Sequence, residues 1–319
     1  MRRARWILLI AAAAAGAITA VTLSYFRELD NARDAASRGS LIAGLESGSI
    51  EYSDEGVGVP LLSIHGAGGG FDQGRANAVE LVGDGFRIVA PSRFGYLRTP
   101  VPRDTTPAAQ ADALAALLSK LNIAKVAVLG VSAGARSAIE LALRHPERVA
   151  ALVLISPGLY SPTSSVEIEA SRGSKLAFQV VNAGGDFAWW AAEKLVPEML
   201  IRFIGVKPDL VAAASQEERG RVMKIVKSIE PLSLRYPGIN IDSTPDLRRL
   251  PLERITAPTL ILSSRDDLFN TLPAAEFAAS NISGAKLIVY DTGGHLLVGY
   301  EQNARMAVRA FLTGAGLVR

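Results

Sequence analysis

Hydrophobic residues along this chain fall into four stretches of different period. From Trp6 to Leu23 they run almost without interruption. From Ser49 to Ser156, and again from Thr259 to Leu312, short apolar runs alternate with segments whose apolar residues recur at helical spacing. Between them, from Gly158 to Ala257, the strand-like runs lapse and helical patterns are broken by Pro162, Gly184-Gly185, Pro197, Pro208, Pro231 and Pro237. The runs predict strands at 49–53, 59–64, 86–90, 125–129, 151–156, 259–264 and 286–290. Helices are predicted at 107–121, where Thr106 is a plausible N-cap and Pro107 stands at the first helical position, and at 297–312, with Gly314 just beyond. Alternating strands and helices with apolar strands indicate a mostly parallel, doubly wound α/β sheet.

The first stretch has the length of a membrane span. Arg2, Arg3 and Arg5 precede about 18 apolar residues, about 27 Å of helix, close to the thickness of a hydrocarbon core. A signal anchor is expected over 1–26, followed by a polar stalk over 27–47. A cleaved signal is the alternative, because Ala17 and Ala20 are small enough for a cleavage site. The preceding arginines favour an inside N-terminus. The rest of the chain would then face away from the cytoplasm, into the periplasm of a Gram-negative cell, or be secreted if the signal is cleaved.

Composition narrows the chemistry mostly by exclusion. The 319 residues carry 34 basic and 31 acidic side chains, a net charge of +3, so no nucleic-acid footprint is evident. There is no cysteine and there are three histidines, scattered without metal-ligand spacing, so no metal or thiolate cofactor is expected. Gly66-Ala67-Gly68-Gly69-Gly70 follows a strand, yet Phe71 stands where a dinucleotide fingerprint needs its third glycine and no Gly-Lys-Ser/Thr follows.

Catalytic chemistry concentrates in three loops. Gly130-Val131-Ser132-Ala133-Gly134 lies between an apolar run and a helical pattern, the strand, tight turn and helix on which a nucleophilic serine is held at strained angles between small neighbours. The helix starting near Ala133 would aim its first N–H groups at developing negative charge. Ser132 needs an imidazole to take its proton. His145 lies in Arg144-His145-Pro146 at a helix end and reads as structural, whereas His65 precedes the glycine loop and reads as a brace for it. His295, in Gly293-Gly294-His295 after a strand, is left as the base. A carboxylate between Ser132 and His295 should orient that ring, and Asp266 and Asp267 follow a buried strand run; Asp291, beside the histidine, is a weaker candidate.

This arrangement resembles the α/β-hydrolase superfamily over roughly residues 48–319. The resemblance rests on the His65-Gly66 segment, the Gly130–Gly134 elbow, Arg144-His145-Pro146-Glu147-Arg148-Val149, Ala257-Pro258-Thr259 and Gly293-Gly294-His295. It implies a core of 48–157 and 258–319, with 158–257 as a helical lid inserted over the site. It places the acid at Asp267, with Asp266 in reserve, and the oxyanion donors at the backbone N–H groups of Ala67 and Ala133, with Gly68 possible. A serine at 132 argues against the branches that use an aspartate nucleophile. The chain departs from the family's Asp-Arg-Gly-x-Gly loop, reading Pro91-Ser92-Arg93-Phe94-Gly95-Tyr96, so Phe94 and Tyr96 either shape a different pocket or anchor the loop on the core.

Within the lid, Phe178, Phe187, Trp189, Trp190, Met199 and Phe203 read as lid core or as walls of an apolar acyl pocket. Arg219, Arg221, Lys224 and Lys227 read as a solvated helix face, or as one touching lipid head groups. The resulting expectation is a serine hydrolase acting on a small, apolar, ester-like molecule through an acyl-enzyme. The alternatives are hydrolysis of a carbon-carbon bond, amide or lactone on the same fold, or a non-catalytic binding module.

Overall fold

Each apolar run from Val59 onward is followed by a segment that carries the chain back, and this makes neighbouring strands parallel. The computed structural model describes residues 2–163, 185–244 and 247–317. Its strands are β1 (Leu41–Leu45), β2 (Gly48–Glu55), β3 (Val59–Ile64), β4 (Phe86–Pro91), β5 (Val126–Val131), β6 (Val149–Ile155), β7 (Thr259–Ser264) and β8 (Lys286–Tyr290). They form one sheet in the order β1-β2-β4-β3-β5-β6-β7-β8. Only the β1–β2 and β2–β4 pairs are antiparallel. The architecture is an α/β, doubly wound, mostly parallel sheet.

The period of two along the strands divides the core into two layers. Leu61, Leu129, Val153 and Leu262 face α2 (Phe71–Val82) and α11 (Glu301–Gly314), where Ala78, Val82, Val308 and Leu312 pack against them. Leu62, Val128, Leu152 and Ile261 face α3 (Pro107–Lys120), α4 (Gly134–Arg144) and α10 (Leu272–Asn281). These strand side chains are at most 1% exposed, and each full burial of this kind contributes about 1.5–3 kcal/mol. At the start of α3 the Thr106 hydroxyl accepts the Ala109 N–H at 3.2 Å, and Pro107 opens the helix.

The N-terminal helix α1 (Arg2–Ala35) is long and apolar enough to cross a membrane by length and composition. The segment read as a polar stalk carries its last turns and then β1. Of β1 only Ala43 is buried, so this short edge strand leaves little hydrophobic pattern to read.

The insertion holds α5 (Asp186–Leu195), α6 (Pro197–Phe203), α7 (Pro208–Ala213), α8 (Gln216–Ser228) and α9 (Tyr236–Ser243) among the described residues. Proline opens α6 and α7, and the Ser215 hydroxyl caps α8 by accepting the Glu218 N–H at 3.1 Å. These helices build their own core from Trp189, Leu200, Val222 and Val226, and it is completed from below by Tyr96 and Val298. Tyr25 of α1 packs edge-on against Phe187 and Trp190 of α5, with centroids 5.2 and 5.6 Å away, while Glu28 accepts from Lys194 Nζ at 2.8 Å.

Candidate active site

Ser132 sits where β5 turns sharply into α4, at φ 51°, a conformation that costs a non-glycine residue strain and marks a position held by its surroundings. The flanking glycines make the turn possible. A Cβ on Gly130 would come within 2.7 Å of Ala138 Cβ, and one on Gly134 within 2.5 Å of the His65 and Ile64 carbonyl oxygens. The turn is tied down by the Ser132 N–H on Ile155 O (2.9 Å) and by Ser132 O, which accepts from Ala135 and Gly158 (both 3.1 Å).

The two other loops meet this turn at the C-terminal edge of the sheet. Asp267 follows β7, and its Oδ2 is 2.8 Å from His295 Nδ1. Its carboxylate also accepts the Phe269 N–H at 2.8 Å and the Thr271 hydroxyl. Burial alone would raise the Asp267 pKa. The facing His295 and these hydrogen bonds outweigh it, and the group lies below the usual carboxylate range. With Nδ1 engaged, Nε2 is the nitrogen left to meet a hydroxyl. His295 is buried, and Phe269 packs edge-on against its ring at 4.7 Å.

The structure separates the neighbouring carboxylates. Asp266 accepts the Gly294 N–H at 2.7 Å and so braces the histidine loop, while Asp291 is exposed and pairs with Arg265. His145, at the opposite end of α4 from Ser132, is 2.8 Å from Asp112. His65 is fully buried. Its Nδ1 donates to Gly66 O at 2.7 Å and its Nε2 accepts the Arg93 N–H at 2.9 Å.

Four residues that sequence reasoning did not single out hold the loops together. The Ser156 hydroxyl, one residue beyond the carbonyl that accepts the Ser132 N–H, donates to His295 O at 3.0 Å. The Ser264 hydroxyl donates to Gly294 O at 2.8 Å. Gly205 of the lid, at φ +81°, accepts from the N–H groups of both His295 (3.1 Å) and Leu268 (3.2 Å); its own Cβ position lies 2.6 Å from His295 Cβ. Asp242 of α9 receives Arg93. The serines at the ends of buried strands were a readable signal; Gly205 and Asp242 carried none.

The glycine segment 66–70 approaches Ser132 closely, since a Cβ on Gly66 would lie 3.1 Å from Ser132 Cβ. The Gly68 N–H, a possible oxyanion donor, is engaged by Tyr96 Oη at 3.2 Å. Phe94 and Tyr96 are both buried in core clusters and anchor their loop.

The chain's sequence over residues 59–193 matches the family described as the alpha/beta hydrolase fold. An alpha/beta hydrolase fold protein from Nakamurella multipartita superposes with a TM-score of 0.64 at 28% identity, covering 87% of this chain and 99% of that one. The chain has the α/β-hydrolase fold. A 2-hydroxy-6-oxononadienedioate/2-hydroxy-6-oxononatrienedioate hydrolase of Pseudomonas putida is 28% identical over 253 residues, 77% of this hydrolase and 85% of its own length. A solved membrane phospholipase A, described as a bacterial virulence factor, shares the fold at a TM-score of 0.62 and 21% identity, covering 99% of both chains.

The inserted helices of this α/β hydrolase use their aromatic residues mainly for their own assembly. Trp189 packs on Phe203 at 5.5 Å inside the lid core, Phe187 and Trp190 meet α1, and Met199 is exposed; Phe178 lies outside the described residues. Arg219, Lys224 and Lys227 are exposed, but Arg221 departs from the expected solvated face. It is half-buried, pairs with Glu218 and Glu80 at 3.0 Å, and donates to Leu296 O beside the histidine loop.

Proposed function

We propose that this hydrolase cleaves a carboxylic ester by a serine mechanism, with Ser132 as nucleophile, His295 as general base and Asp267 as the carboxylate that orients the ring. The observation that carries this reading is the Asp267–His295 bond at 2.8 Å, on the same sheet edge as the strained Ser132 elbow. His295 Nε2 takes the Ser132 hydroxyl proton as Oγ attacks the ester carbonyl. The Ala67 and Ala133 N–H groups receive the oxyanion. The imidazolium returns the proton to the leaving alkoxide, and water, activated by the same ring, releases the acid.

The similarity to the Pseudomonas putida enzyme supports a second reading, hydrolysis of a carbon-carbon bond in a hydroxy-oxo-dienoate-like acid. Such a substrate brings carboxylates that need cations. Arg93 and Arg235, the guanidinium groups beside the oxyanion turn, are already bidentate to Asp242 and Asp72. That pairing favours a neutral ester. Lactone or amide cleavage would use the same machinery, whereas a binding module would need none of it.

The deciding experiment treats the full-length protein and a Ser132→Ala variant with a fluorophosphonate and compares intact masses. A single adduct lost in the variant supports the serine mechanism, and no adduct on the wild type refutes it. Turnover is then compared between p-nitrophenyl esters of increasing chain length and a hydroxy-oxo-dienoic acid. Faster Ser132-dependent loss of the dienoate overturns the ester assignment.

The proposal extends to location, with α1 holding the catalytic domain on the outer face of the membrane, the periplasmic face in a Gram-negative cell. Carbonate-resistant membrane association with an intact N-terminus supports an anchor. A mature chain starting near residue 21 would establish secretion after cleavage.

A further inference from the structure

The Ala67 N–H belongs to the peptide whose carbonyl is Gly66 O. A trans peptide is planar, so whatever fixes the direction of Gly66 C=O also fixes the Ala67 N–H, which points the opposite way. Two side-chain donors fix it from outside the turn, His65 Nδ1 at 2.7 Å and Arg93 Nη2 at 3.1 Å, and the Gly69 N–H adds a longer bond at 3.4 Å from within it. Burial and the adjacent Arg93 charge hold the His65 pKa well below its ordinary value, so the ring stays neutral and keeps one donor and one acceptor nitrogen. The next peptide is fixed as well, because the Gly68 N–H donates to Tyr96 Oη at 3.2 Å. Both peptides flanking Ala67 are therefore held from outside the turn.

The holders converge on one carboxylate. Arg93 Nη1 and Nη2 donate to Asp242 Oδ1 and Oδ2 at 3.0 and 2.5 Å, and the Tyr96 hydroxyl donates to Oδ2 at 2.6 Å. Arg136 stands 3.7 Å from Oδ1. Arg93, Tyr96 and Asp242 are all buried, at 6%, 0% and 4% exposure, which leaves little slack in the chain of contacts. Asp242 comes from α9 of the lid, whereas Arg93 and Tyr96 come from the loop after β4.

We propose that Asp242 is a positioning residue for hydrolysis: from the lid it holds Arg93 and Tyr96, and through them the two peptides that aim the Ala67 N–H at the oxyanion. This rests on the assignment of Ser132 as nucleophile and Ala67 as donor. A lid that is seated thus completes the oxyanion site, and an unseated lid loosens it. A carboxylate that only latched the lid would leave the intrinsic rate at Ser132 unchanged once a reagent is bound.

The test is the kinetics of Ser132 phosphonylation by a fluorophosphonate, resolved into binding and covalent steps, because the P–O oxygen must occupy the oxyanion site in the second step. It uses the full-length protein in detergent micelles, with Tyr96→Phe and Asp242→Asn variants. The covalent rate should fall about 10-fold in Tyr96→Phe, less than for outright loss of an oxyanion donor, and about 100-fold in Asp242→Asn, at the lower end of that range, with the binding constant changed less than about twofold. An unchanged covalent rate, with only the binding constant or the melting temperature moved, overturns the proposal. If Asp242→Asn fails to fold, Tyr96→Phe decides alone, since it removes one hydroxyl and keeps the ring. A wild-type chain that takes no label defeats the serine assignment itself, whereas a labelled wild type with two unaffected variants defeats only the role of Asp242.

Discussion

Replacing Glu230 with glutamine should stabilise the protein at alkaline pH and leave it nearly unchanged at acid pH. Glu230 follows α8, is 7% exposed, and its Oε1 is buried with no hydrogen-bond partner among the described residues. Burial, with Glu193 and Glu28 nearby, pushes its pKa from an ordinary 4.5 up to about 7, against the pull of Lys227 and Lys194. Below pH 4.5 the carboxyl is neutral both folded and unfolded, and it costs nothing. Between pH 4.5 and about 7 the unfolded chain has released the proton and the folded chain still binds it, so stability falls as pH rises. The full loss, from a shift of about 2.5 units at 1.36 kcal/mol each, is about 3 kcal/mol. A glutamine has no such proton to release. Thermal unfolding at pH 5 and pH 8 should show the wild type losing roughly 6 °C more than the variant over that interval. Parallel pH dependences for the two proteins would refute the reasoning.

Asp267→Asn should lower ester turnover about 10⁴-fold, because the amide favours the wrong imidazole tautomer, while Asp266→Asn, whose amide oxygen can still accept the Gly294 N–H, should cost less than about tenfold. Comparable losses in steady-state kcat would remove the distinction between the two. Gly205→Ala adds a Cβ 2.6 Å from His295 Cβ at a positive φ, so it should destabilise the fold by about 2 kcal/mol and displace the base; a melting temperature and kcat equal to wild type would contradict this. Tyr25→Ala removes two edge-on aromatic contacts to the lid, about 1–2 kcal/mol together, and should shift Trp190 fluorescence to the red. An unchanged spectrum would mean that the lid does not rest on α1.

What could be read from the sequence was whatever repeats or strains the backbone. The parallel strands announced themselves as apolar runs because both their faces are buried, and the elbow did so because Gly130 and Gly134 have no room for a Cβ. Asp266 and Asp267 looked alike in sequence, being adjacent and both at the end of β7. The turn after β7 sends one to His295 Nδ1 and the other to the Gly294 N–H, and only the superfamily's pattern chose between them in advance. The edge strand β1 was missed because it buries a single alanine. Arg221 was misread because a basic residue on a helix with charged neighbours gives no sign that Glu80, 141 residues away, lies opposite. Asp242 was invisible for the same reason: its meaning lies in Arg93, 149 residues earlier in the chain.

The inserted helices are fastened to the core by charges of opposite sense. Arg93 of the core meets Asp242 of the insertion, and Asp72 of the core meets Arg235 of the insertion, whose side chain is 1% exposed. Buried pairs of this kind add little net stability over apolar packing, because desolvation offsets most of their attraction. Breaking one is different, since a single uncompensated charge left inside costs about 3–5 kcal/mol. Displacing these helices by one helical turn would face such a cost at both guanidinium groups, since the Arg93 and Arg235 side chains are 7% and 1% exposed. Hydrophobic packing of Tyr96 and Val298 under these helices would tolerate such a slip far better, because apolar contact has no direction. The two pairs therefore set register rather than strength. Because one of them also holds the peptides around Ala67, the register of these helices and, in the proposed mechanism, the aim of the oxyanion donor are fixed by the same atoms.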